Sequence, residues 1–167
     1  VDAFIDFTKT IEGKATIMAH GGILETSSSD KSWNVVKEEF TIDDMDNKGT
    51  TINVGGSTSV RSIVSNLLTE FSAKCGNFNY VYNPTGSGDA YKRTNGQEKD
   101  GANACDLAFA SREFNNDEPL DNSLKGTICI DAIVAAVNKT NTVKEVTAET
   151  LRSIYSGEIK KWNEVKR

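Results

Sequence analysis

The sequence predicts an α/β layered fold with a mostly parallel sheet, right-handed crossovers and helices on both faces. Two observations carry that prediction. After residue 50, short apolar strands alternate with helical stripes, and each strand runs into a turn rich in glycine and hydroxyl residues. Ahead of that region, Phe4, Phe7, Ile11, Ala15 and Met18 recur at spacings of three and four, an apolar stripe along a helix. Thr10, followed by Glu12 and Gly13, breaks the stripe and caps a second short helix that Gly21-Gly22 stops, so residues 1–20 read as a bent helix pair. From residue 24 to 50 the chain is polar, with Ser27-Ser28-Ser29-Asp30 and the acidic run Asp43 to Asp46. This is a connector, with a turn or two of helix between Lys31 and Phe40.

Thr51-Ile52-Asn53-Val54 is the first predicted strand and Gly55-Gly56-Ser57-Thr58-Ser59 a tight turn. Val60, Ile63, Val64, Leu67, Leu68 and Phe71 then stripe a helix reaching about Lys74. Phe78 to Tyr82 forms a second strand, Pro84-Thr85-Gly86-Ser87-Gly88 a second turn, and Asp89 onward a short helix ending near Asn95-Gly96. Cys105 to Ala110 is a third strand, leading into Ser111-Arg112-Glu113. The apolar run from Ile128 through Val137 is long enough for one bent strand or two abutting ones. Thr147 caps a last helix carrying Ala148, Leu151, Ile154 and Tyr155, with Gly157 as its stop.

The 167 residues make one domain, or one domain with appendages, and are too few for two full lobes. Nineteen Lys and Arg against twenty-four Asp and Glu leave a net charge of −5, which repels nucleic acid and offers no long-range attraction to an anionic membrane. Cys75, Cys105 and Cys129 have no CxxC spacing, which disfavours zinc; one bridge, between Cys75 and Cys105 at a shared sheet edge, is left open. The opening residues lack the features of a signal peptide, so the visible start is expected to be an internal cut.

In parallel sheets, ligands bind beyond the carboxyl ends of the strands. Three loops there are rich in small polar residues: Gly56-Ser57-Thr58-Ser59, Gly86-Ser87-Gly88 and Ala110-Ser111-Arg112. Backbone N–H groups opening a helix, short hydroxyls and one guanidinium can accept an oxyanion without a positively charged protein. The same residues also serve as ordinary helix caps and turns. No Walker A loop or GxGxxG fingerprint is present, which disfavours nucleotides. The single histidine, His20, sits at a helix end in a solvated or capping position, so no Ser/His/Asp or Cys/His arrangement can be built and the chain reads as a non-enzyme. The Asp43 to Asp46 run lacks EF-hand spacing and reads as solvated linker. Asn138-Lys139-Thr140 matches a glycosylation sequon that matters only in a eukaryotic secretory setting. Trp33 and Trp162 read as local packing residues.

These motifs resemble the phosphate-binding receptors of bacterial ABC phosphate importers. INVGGSTSVRSIVSNLLTEF is similar to the family's first strand, turn and helix, NPTGSGDA to its GSG loop, and CDLAFASREF to its "aDIg.aSRe" segment. IDAIVAAVNKTNTVKEVTAETLRSIYSGEIKKWNEV is similar to the segment that ends in "IysG.i..W", so the resemblance covers residues 51 to 165. It implies a lobe of a type II solute receptor with the periplasmic binding protein fold, which closes over a dehydrated oxyanion and needs neither cofactor nor metal. Thr58, Ser59, Ser87, Ser111 and Arg112 become the implied phosphate contacts, with Gly56, Ser57, Gly86 and Gly88 supporting the turns. The implied partners are inorganic phosphate, the importer's permease subunits and a second receptor lobe. The implied setting is the extracellular face of the membrane or the periplasm, with a lipid anchor on the parent lipoprotein.

Two departures accompany the resemblance. Well-known members carry an Asp where Arg112 stands, and the second-lobe Arg-Glu and Ser-Gly-Thr loop is absent, so only half of a site is present. The opening VDAFIDFTKTIEGKATIMAHGGI resembles the family's closing segment, which implies circularly permuted order or a junction of two fused receptors. The expected organisation is returning helices at 1–23, a connector at 24–50, the core lobe at 51–140, and a hinge-proximal helix with the start of a second lobe at 141–167. The other expectation is a degenerate receptor-like module that contacts a permease, sensor or partner lobe without binding phosphate.

Overall fold

A computed structural model describes residues 1–40, 46–132 and 134–165. Most of the acidic run expected as linker, and Ile133 of the apolar run, lie outside the described residues. The chain divides into two compact units, Val1–Asp131 and Ala132–Arg167.

The first unit is built on three parallel strands, β1 (Thr51–Gly56), β2 (Asn79–Pro84) and β3 (Leu107–Phe109), in the order β2-β1-β3. Alternation along β1 sets the two faces. Ile52 and Val54 face α4 (Arg61–Lys74), whose Ile63, Val64, Leu67, Leu68 and Phe71 are buried as their stripe predicts. Gly55 faces the other way, toward Arg93 of α5 (Ser87–Thr94), and α5 packs on β1 and β3. Helices therefore cover both faces.

On the α4 side a second layer is added by α1 (Asp2–Thr8) and α2 (Ile11–Ala19), both packed on α4. The expected single stripe is corrected here. Phe4, Phe7 and Ile17 are buried, whereas Ile11 is 53% exposed and Met18 45%. The backbone turns at Thr10, whose hydroxyl donates to the Phe7 carbonyl (2.7 Å) and accepts from the Gly13 N–H (3.2 Å), so the second helix starts in a new phase. Gly13 permits the crossing, because a Cβ there would lie 2.1 Å from the Phe7 carbonyl oxygen.

The connector is tied down rather than loose. It contains α3 (Trp33–Val36) followed by a 3₁₀ turn, and Trp33 packs edge-on against Phe7 and Phe71. The Trp33 backbone N–H donates to the Glu12 carboxylate (2.8 Å), and Lys14 pairs with Asp30 at 2.7 Å. Trp33 is thus a central core residue.

One further expectation is corrected, and the cysteine pairing left open is answered. The apolar run after Ile128 forms no strand among the described residues, beyond one antiparallel bridge between Ile23 and Ile130. No named strand among the described residues lies beside it, and Val134 is 81% exposed. The three cysteines are unbridged. Cys75 belongs to the core on the α4 face, while the Cys105 sulfur lies beside Gly55 and Arg93 on the opposite face, so the sheet separates them.

The second unit carries α6 (Ala148–Tyr155), capped as expected by the Thr147 hydroxyl, which accepts from the Thr150 N–H at 3.1 Å. No residue of α6 is buried, and Tyr155 is 87% exposed.

Truncating the aromatic hub should show which of these contacts hold the first unit together. Phe71→Ala is expected to destabilise it by about 3–5 kcal/mol in urea unfolding, and Tyr155→Ala by less than about 0.5 kcal/mol. Equal losses at the two sites would contradict the packing described.

Candidate functional site

All three strands end at one level, because Gly56 is in register with both Pro84 and Phe109. The sheet order reverses direction between β1 and β3, which makes this edge the switch point where open α/β sheets form a crevice. Gly56 is its junction. Its φ of +101° and the absence of a Cβ let the β3 backbone pass close by, for a side chain there would lie 2.0 Å from the Phe109 carbonyl oxygen. The Gly56 carbonyl accepts from the N–H groups of Thr85 (3.0 Å) and Gly86 (2.8 Å), and the Ser57 N–H donates to the Phe109 carbonyl (2.6 Å). Three loops are thereby fastened to one residue.

The fastening brings three hydroxyls into a chain. Ser57 Oγ donates to Ser111 Oγ at 3.0 Å, and Ser111 Oγ lies 3.0 Å from Ser87 Oγ. The Ser111 N–H donates to Ser87 Oγ at 3.0 Å, and the Ser59 N–H donates to Ser57 Oγ at 3.2 Å. Ser111 is the middle member and is exposed, between buried Ser57 at one end and half-buried Ser87 at the other. Neither α4 nor α5 receives a side-chain cap: their N-cap residues are Val60 and Gly86. The serines are therefore linked across loops rather than spent as helix caps.

Ser87 and Ser111 are brought together, with Gly56 and Gly86 shaping the turns and Gly88 exposed in the first turn of α5. Thr58 and Ser59 are exposed, and among the described residues no hydrogen bond joins their hydroxyls to the serine chain, which Ser59 meets only through its backbone N–H. Ser57, read from the sequence only as turn support, is the buried end of that chain. Arg112 follows Ser111, and its guanidinium is held end-on by Glu118, Nη1 to Oε2 at 2.6 Å and Nη2 to Oε1 at 2.7 Å. Nη1 also donates to the Glu113 carbonyl at 2.8 Å, and Glu118 Oε2 accepts from the Asn115 N–H at 2.9 Å.

Sequence reasoning missed two charged groups. Glu118 is one, and its only sequence signal is its place six residues after Arg112 in a polar loop. The other is Arg93, 7% exposed, which donates to the carbonyls of Asn103 (2.6 Å) and Asn83 (2.9 Å). Its Nη1 would sit 2.9 Å from a Cβ on Gly55, so a buried cation backs the strand next to Gly56. Burial pushes the neighbouring Cys105 thiol above its ordinary pKa. Among the described residues, no cluster of three or more His, Cys, Asp or Glu could hold a metal, and no helix is long and apolar enough to cross a membrane.

Hydrogen bonds from Arg112 and then from Asn115, with Lys92 adding a weaker attraction, bring the Glu118 carboxyl down to about 2; the Glu118 hydrogen bonds, with a smaller contribution from Asp117, in turn raise Arg112 above its ordinary value. A lowered carboxyl stabilises the fold fully above its ordinary value of 4.5 and loses that contribution as pH falls toward 2. A carbon-13 NMR titration of Glu118 should give a midpoint near 2, and Arg112→Ala should return it toward 4.5. An unchanged midpoint in the variant would contradict the pairing.

A family model described as a PBP superfamily domain matches residues 24–167. Protein SphX of Synechococcus elongatus is 27% identical over 143 residues, covering 79% of this chain and 40% of that protein. The crystal structure of a phosphate ABC transporter, phosphate-binding protein from Streptococcus pneumoniae TIGR4 superposes with a TM-score of 0.73 at 23% identity. That match covers 99% of this chain and 57% of the other, and it shows the fold. The chain thus spans well under two thirds of the length of either relative.

Proposed function

The chain belongs to the PBP superfamily, and on that premise we propose that it is one lobe of a phosphate receptor, the substrate-capture component of an ABC importer. The observation that carries this reading is the Ser57–Ser111–Ser87 hydroxyl chain at the switch point of the sheet. Serine hydroxyls both donate and accept, so they can serve the bare and the protonated oxygens of phosphate. Ser87, Ser111 and Arg112 are the proposed principal contacts, with Thr58 and Ser59 contributing from the exposed turn. The protein performs no chemical step, and it works on the extracellular face of the membrane or in the periplasm, lipid-anchored in the parent protein and delivering phosphate to permease subunits.

The parent protein's second lobe supplies the rest of the proposed site. The incomplete burial of α6, in which Leu151 and Ile154 are only half-buried and Tyr155 is exposed, supports the assignment of residues 141–167 to a hinge-proximal helix and the beginning of that lobe. Residues 1–23 are proposed to be the family's returning helices, placed ahead of the first strand. Their burial of Phe4, Phe7 and Ile17 against α4 supports this.

Titration calorimetry of the intact protein with phosphate and sulfate tests the reading. Ser111→Ala is expected to weaken phosphate about 10- to 100-fold, the worth of a hydrogen bond to a charged acceptor. The 167-residue chain alone should bind far more weakly than the intact protein, and equally tight binding by this monomer would overturn the half-site. No phosphate heat in the intact protein, with partner binding retained in Ser87→Ala and Arg112→Ala, would favour a non-binding interaction module instead.

A further inference from the structure

Arg112 has five N–H donors, and Glu118 and Glu113 occupy three of them. Both hydrogens of Nη1 are engaged, one by Glu118 and one by the Glu113 carbonyl, and one hydrogen of Nη2 is engaged by Glu118. The two that remain, Nε–H and the outer Nη2–H, lie on one edge of the planar guanidinium and have no partner among the described residues. They form a second, side-on fork, on a residue that directly follows Ser111, the exposed middle member of the serine chain. Glu118 is itself anchored to the loop by the Asn115 N–H and is only 11% exposed, so the guanidinium is held by a carboxylate that has little freedom to move.

We propose that Glu118 is a positioning residue for the oxyanion site: by gripping the end-on fork of Arg112, it presents the side-on fork to a phosphate oxygen pair. This rests on the reading of Arg112 as a phosphate contact. The alternative relation between the same groups is competition, in which Glu118 occupies the cation that phosphate needs. The geometry favours positioning, because Glu118 leaves one bidentate edge open. The ion pair carries no net charge, so an anion gains from it by lying in line with the two donors rather than by long-range attraction. That fits a protein of net charge −5.

The test is phosphate calorimetry on the intact protein as wild type, Glu118→Gln, Arg112→Ala and the double variant, with the Arg112 Nε–H resonance followed by proton–nitrogen NMR. Thermal melts confirm that each variant is folded. Glu118→Gln is expected to weaken inorganic phosphate about tenfold, the lower end for groups that orient a ligating side chain. In the Arg112→Ala background it should have no further effect. Saturating phosphate should shift the Nε–H signal in the wild type and shift it less in Glu118→Gln. The proposal is overturned if Glu118→Gln tightens phosphate or leaves it unchanged, or if it weakens phosphate equally in the Arg112→Ala background, which marks a general structural role. If Arg112→Ala itself leaves affinity unchanged, the contact reading fails first, an outcome distinct from the others.

Discussion

Everything at the carboxyl edge of the sheet depends on how closely the three strands can meet at Gly56. With no Cβ and a φ of +101°, this residue lets the backbone of Phe109 pass where a side chain would stand. Its carbonyl then accepts two N–H groups from the β2 loop, while the next N–H reaches β3. The serine chain is a consequence. Ser57, Ser87 and Ser111 come from loops far apart in sequence, and their oxygens meet at 3.0 Å because their backbones are fastened to one point. Preorganisation of this kind removes the ordering entropy that flexible hydroxyls would lose on binding.

The electrostatics of the site follow a similar economy. The chain is acidic overall, yet the site needs no surplus of surface cations. In the proposed reading its donors are hydroxyls, backbone N–H groups and the open edge of Arg112, whose charge is balanced by Glu118. Arg93 adds a buried positive charge behind β1, neutralised by no salt bridge among the described residues and held instead by backbone carbonyls. Removing those carbonyl contacts would leave an unpaired buried guanidinium, which is strongly destabilising.

Much of this was legible in the sequence, and the exceptions have physical causes. The α4 stripe, the Thr10 and Thr147 caps and the three strand–turn units depend on local periodicity and cap chemistry, so one sequence suffices to read them. The phase of α2 was not readable, because a turn of two residues resets which side faces inward; hence Ile17 is buried and Ile11 is not. The run from Ile128 looked like a strand because strands require partners that composition cannot show. Ser57 was read as turn support for the same kind of reason: its role depends on Ser111, 54 residues away. The Glu118 grip and the buried Arg93 likewise depend on loop geometry rather than on pattern.

The most direct test of the account is a crystal structure of the intact protein with inorganic phosphate bound. The account predicts phosphate oxygens within about 3 Å of the Ser87 and Ser111 hydroxyls and in line with Nε–H and Nη2–H of Arg112, with the Arg112–Glu118 pair intact. Phosphate seated away from the carboxyl ends of β1, β2 and β3 would contradict it.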